Sequence, residues 1–132
     1  MALAEYQPTQ VSFRVEVLRA YETKFTEYGL TDEDPAFWTV YYGWPYSAWR
    51  PKRLTEVGVD DRKVIWGFLK YRDPETGEWK PLGNVTITIE ISGPESWRVS
   101  GVTTGAGAGE FVYDASGEMT KPGTYTITLK FP

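Results

Sequence analysis

The chain contains no cysteine and no histidine. Those two absences together remove disulfides, thiolate nucleophiles, imidazole bases and the usual zinc sites. Carboxylates, Lys, Tyr, Ser and Thr are what remains for chemistry, and most enzyme classes fall away at this step. No catalytic residue, metal ligand set or cofactor is therefore expected. A cysteine-free chain also carries no mark of its redox compartment. Positive charge is scarce as well: 14 Lys and Arg stand against 18 Asp and Glu, for a net charge of −4. Duplex binding needs clustered cations. The nearest cluster, Arg50, Lys52 and Arg53, reads as a solvated loop, so nucleic acid is not an expected partner. No apolar run approaches the ~20 residues that span a bilayer. Residues 1–10 lack the basic and apolar regions of a signal peptide.

What the chain does have is aromatic and β-branched side chains. It has 132 residues, 41% hydrophobic and 16% aromatic, enough for one domain with its own core. Near the C-terminus, Val85, Ile87, Ile89 and Ile91 alternate with Thr86, Thr88 and Glu90. Tyr125, Ile127, Leu129 and Phe131 alternate with Thr126, Thr128 and Lys130 in the same way. A period of two with many β-branched residues predicts strands with one face buried. Residues 97–104 and 111–114 are shorter strand candidates. Residues 64–71 form another, with Ile65, Gly67, Leu69 and Tyr71 on one face; a glycine inside a strand marks a close neighbour. Turn chemistry at 73–77, 92–94, 115–117 and 121–123 supplies Pro and Gly between the strands. Short strands with turns at this spacing predict an antiparallel β-sandwich. The glycine-alternating run 105–109 has neither a following helix nor a Lys-Ser/Thr pair, so it reads as a flexible hairpin tip rather than a phosphate cradle.

The first sixty residues are less regular. Val11, Phe13, Val15 and Val17 predict a strand over residues 11–18. Beyond it, to Tyr28, strand and helix spacings both fit, and Gly29-Leu30 would serve as a helix stop. After the break at residues 31–35 comes the most unusual stretch, residues 37–49. It holds Phe37, Trp38, Tyr41, Tyr42, Trp44, Tyr46 and Trp49. Trp38, Val40 and Tyr42 would share one strand face. Gly43 to Trp49 looks least like a strand, which makes Trp44, Tyr46 and Trp49 the expected exposed rings.

From Val64 to Phe131 the order of features resembles the bacterial and archaeal immunoglobulin-like modules of surface, S-layer and virion proteins. The matching pieces are the strand of Ile65, Gly67 and Leu69, the acidic turn 73–77, and Pro81-Leu82-Gly83-Asn84 leading into 85–89. Thr103-Thr104 before Gly109-Glu110-Phe111, and then 122–127, complete the series. Where those modules usually place Asp and Asn before Gly-x-Phe, this chain has Gly-Ala-Gly-Ala. The resemblance implies an immunoglobulin-like β-sandwich over 61–132, with residues 1–60 as an aromatic-rich N-terminal elaboration or as further strands of the same sandwich. It also implies a non-enzymatic spacer, adhesive or decorating module outside the cell, on a virion or a cell surface. The missing signal peptide favours the virion.

Three features compete for function. The binding residues expected from the aromatic stretch are Trp38, Tyr41, Trp44, Tyr46 and Trp49, as a sugar platform or a protein interface. Acidic pairs at Asp32/Asp34, Asp60/Asp61 and Asp73/Glu75 could each hold calcium, but none has a full spaced ligand set, so they read as solvated turns. The apolar strand 11–18 could add to the sheet edge of a neighbouring subunit, although the favoured reading is an ordinary first strand of its own fold. Self-association or a larger protein assembly is the expected partner, with a glycan as the alternative.

Overall fold

A computed structural model describes residues 4–18 and 20–131. Among these residues, seven strands form two antiparallel sheets: β1 (Thr23–Thr31), β2 (Val64–Arg72), β3 (Trp79–Pro81), β4 (Thr86–Ser92), β5 (Trp97–Thr103), β6 (Glu110–Asp114) and β7 (Thr126–Lys130). A helix, α1 (Trp38–Tyr42), follows a 3-10 turn at Pro35–Phe37. The fold is all-β, as the alternation predicted. Among the described residues, no helix is long and apolar enough to cross a membrane.

β2 organises the first sheet. β1 takes one of its edges along the whole strand, from Thr23 opposite Tyr71 to Thr31 opposite Val64. Its other edge is shared end to end, with β6 opposite Val64 to Phe68 and β3 opposite Lys70 to Arg72. The second sheet runs β5-β4-β7. The sheets pack face to face. Ile65, Leu69 and Phe111 from one meet Ile87, Ile89 and Ile91 from the other, all fully buried.

Gly67 has its place because Phe111 lies across it. A Cβ there would stand 2.6 Å from Phe111 Cζ and 2.9 Å from the carbonyl oxygen of Glu27. The close neighbour expected from a strand glycine is therefore an aromatic ring on the adjacent strand.

Several expectations are corrected. Residues 11–18 form neither helix nor strand, and among the described residues they pair with no strand of their own fold, so they are not its first strand. The first strand is instead β1, and the helical alternative for that stretch is overturned. Gly29, read as part of a helix stop, sits inside β1 opposite Trp66. Pairing with β2 decides the matter over weak local preference. Trp38, Val40 and Tyr42 share no strand face, because Asp34 caps a helical turn there by accepting from Ala36 N–H at 3.0 Å, with Pro35 preset for the first turn. Residues 105–109 are not a hairpin tip. They carry the chain from β5 in one sheet to β6 in the other, closed by Gly105 N–H donating to Glu110 O at 2.8 Å.

Candidate functional site

The outer face of the first sheet builds the aromatic site. β2 alternates, so Val64, Trp66 and Phe68 point away from the second sheet. Left bare, that face would be a large apolar patch. Residues 38–49 cover it. Asp34 and Pro35 start the helical turn, and Gly43, at φ 71°, ends α1 in the left-handed conformation. The chain then turns back, with Tyr46 and Ser47 N–H both donating to Gly43 O at 2.9 and 3.0 Å. The Ser47 hydroxyl donates to the Tyr42 carbonyl and fixes the bend.

The rings inside this cap form one cluster. Trp44 meets Trp38 at 5.2 Å, Trp66 at 5.9 Å and Phe68 at 5.0 Å between ring centroids. Trp49 leans on Trp38 at 5.8 Å and stacks with Tyr42 at 4.4 Å. Edge-to-face and offset-stacked pairs of this kind add to what area burial alone supplies. Arg50 closes the rim: its guanidinium lies 4.3 Å over the Phe68 ring and pairs with Glu27 at 2.7 Å.

This geometry divides the five expected binding residues. Trp38 and Trp44 are 1% and 5% exposed, and Trp49 is half-buried. Trp44 and Trp49 are therefore not exposed rings, because β2 presents Trp66 and Phe68 for the cap to bury. Tyr41 and Tyr46 stay exposed, joined by Phe37 and Val40, which lay outside the expected binding set. The Phe37 and Tyr41 rings sit 5.7 Å apart on the outer side of the helical turn. Their exposure follows from helical spacing, which a strand reading of the segment hides.

The acidic pairs are occupied by local structure. Asp34 caps its turn and pairs with Arg62 at 3.0 Å. Asp61 accepts from Gly58 N–H at 2.7 Å. Lys80, 2.6 Å from Asp73, holds that carboxyl below the usual range. No three His, Cys, Asp or Glu side chains gather as a metal site among the described residues. Elsewhere, burial, reinforced by donation to Glu118, pushes the Tyr113 hydroxyl up to about 12.

Burial also raises the Glu110 carboxyl above its ordinary 4.5. A carboxyl held high in the folded chain binds protons more tightly there than in the unfolded chain. Stability therefore falls as pH rises from 4.5 through the folded value. Glu110→Gln removes that penalty. In thermal melts it is expected to raise Tm at pH 7, with the gain fading as pH drops below 4.5. A gain of equal size at both pH values would rule out the carboxylate as the cause. Asp73 and Asp114, both held low by partners, contribute the opposite trend in either chain.

The second feature is the N-terminal arm. Val11, Phe13, Val15 and Val17 are 85%, 83%, 71% and 89% exposed. Four large apolar residues at every second position are left in solvent. Single exposed apolar residues are ordinary, but a continuous apolar strand face is not.

Comparison with family models, curated proteins and solved structures produced no match to this chain.

Proposed function

We propose that the chain is a non-catalytic, immunoglobulin-like structural module of an extracellular assembly, joined to its neighbours through residues 11–17. The observation that carries this reading is the arm: a segment with strand alternation whose apolar side chains are exposed and which has no sheet partner among the described residues. A segment of that kind gains backbone hydrogen bonds and buries its apolar face by adding as a strand to another sheet. Two antiparallel sheets packed face to face, with the chain crossing between them at 105–109, support the immunoglobulin-like assignment. The placement on a virion or cell surface rests on the sequence resemblance alone.

Light scattering over a range of concentrations tests the reading. The native chain is expected to gain mass as concentration rises, while a Phe13→Glu/Val15→Glu chain, altered only where side chains are exposed, stays monomeric. A native chain that remains monomeric at millimolar concentration would sink self-association.

A second reading, glycan binding, is favoured by the exposed rings of Phe37, Tyr41 and Tyr46. It requires affinity on a glycan array that Tyr41→Ala removes and the arm substitutions leave intact.

A further inference from the structure

We infer that the receptor for the arm is the outer edge of β7, in the trough between β1 and β7 of a second copy of this chain, so that copies join head to tail. This rests on the arm being a joining element, as proposed above. One chain carries both halves of such a joint. The first sheet ends at β1 and the second at β7, and these two edges flank an open side of the sandwich. Between them lie adjoining hollows of about 500 and 530 Å³ that share Phe25 and Leu129. Phe25, Leu30, Ile127, Leu129 and Phe131 pack onto the core there, yet each stays only half-buried. The sandwich is unfinished on this side.

Of the two edges, β7 is the free one. Leu54 N–H already donates to Leu30 O of β1 at 2.8 Å. The outer edge of β7 makes no backbone hydrogen bond among the described residues. A strand laid there continues the second sheet.

The arm matches that edge in length and alternation. Residues 11–17 span about 23 Å as a strand at ~3.3 Å per residue, the same number of residues as 125–131. Val11, Phe13, Val15 and Val17 would turn into the trough beside Ile127 and Leu129, completing the half-buried layer. Ser12, Arg14 and Glu16 would lie outside with Thr126, Thr128 and Lys130, where β7 is already polar and exposed. The opposite choice of face would bury Arg14 and Glu16, so the pleat selects the register's parity.

The occupant is a second copy because the arm's own tether is too short. Tyr21 stacks on Tyr71 at 5.9 Å, and Glu22 O accepts from Arg72 N–H at 2.9 Å, so both residues are fastened to β2. Residues 18–20 are what remains to bring the arm round, and the four steps from residue 17 to residue 21 reach about 14 Å when extended. Crossing the ~10 Å between packed sheets takes most of that, and too little is left for a full reversal of direction. A neighbouring copy has no such limit.

Hydrogen exchange on the full chain at low and high concentration, run beside light scattering, tests this. As mass rises, amides of 11–17 and the outward amides of 126–130 are expected to slow together. The slowing should reach about fourfold when total concentration is about ten times the dissociation constant, and about tenfold at about a hundred times. The Phe13→Glu/Val15→Glu chain should show neither protection nor added mass. Rising mass with protection at a surface other than β7 would overturn the receptor while leaving assembly through the arm intact. A monomer whose arm and β7 are protected at every dilution would mean that the arm fills its own trough. A monomer with a freely exchanging arm would remove both proposals.

Discussion

Replacing Trp44 with alanine is expected to cost about 3–5 kcal/mol of stability, the range for emptying a buried indole site. Trp44 is the ring on which the aromatic cap closes, since it touches Trp38, Trp49, Trp66 and Phe68. Its neighbours are stiff aromatic side chains held by a sheet on one side and a hydrogen-bonded turn on the other. They cannot collapse far into the space left behind, so both the transfer cost and the cavity cost are paid in full. Denaturant unfolding followed by circular dichroism measures the loss. The near-ultraviolet signal of the coupled indoles should weaken in the folded variant as well. Tyr46→Ala is the control: that ring is exposed, and its loss is expected to fall within about 0.5 kcal/mol, as for ordinary surface changes. Equal effects from the two substitutions would mean that the cap is no core.

Gly67→Val should be nearly as damaging, through the opposite mechanism. Overpacking costs about 1–3 kcal/mol where neighbours can shift. Here one neighbour is a ring edge and the other is backbone, the Glu27 carbonyl oxygen 2.9 Å from where the Cβ would stand. Glu27 follows a bulge: Phe25 faces Leu69 and Glu27 faces Phe68, leaving Thr26 as the extra residue. Moving that carbonyl disturbs the whole β1–β2 ladder. Adding Phe111→Leu should recover part of the loss, because it frees the ring side but not the backbone side. The non-additivity of the two changes, read as a double-mutant cycle in the same unfolding experiment, separates the ring clash from the backbone clash. Simple additivity would show that Phe111 is not what excludes a side chain there.

That bulge also explains why β1 was hard to read from sequence while β4 and β7 were easy. In β4, Ile87, Ile89 and Ile91 keep one parity, with threonine and glutamate on the other side. In β1, the extra residue at Thr26 switches the parity midway, so that Phe25 and Leu30, an odd and an even position, both pack onto the inner core. Neither a period of two nor one of 3.6 survives such a switch. The arm fails in the converse way. Its alternation over Val11, Phe13, Val15 and Val17 is clean, but periodicity reports what a segment can do beside a sheet edge, not whether the fold offers it one. The aromatic stretch shows a third limit. Its rings were visible, but their burial depends on Trp66 and Phe68, which lie on a strand whose outer face a sequence read alone would leave to solvent.

The way β2 shares its edges also constrains how the chain can be made. Its partners arrive from both directions, β1 from residues 23–31 and β6 from residues 110–114. Contacts so distant in sequence close large loops, which slows folding relative to a fold built from neighbours. During synthesis, β1 and β2 can form a ribbon early, with Trp66 and Phe68 awaiting the cap on one face. Ile65 and Leu69 on the other face stay uncovered until β4 has emerged, and Phe111 joins them later still. The protein therefore has no natural halfway point. The strand that holds its two cores together is also the one that must wait longest for its last neighbour.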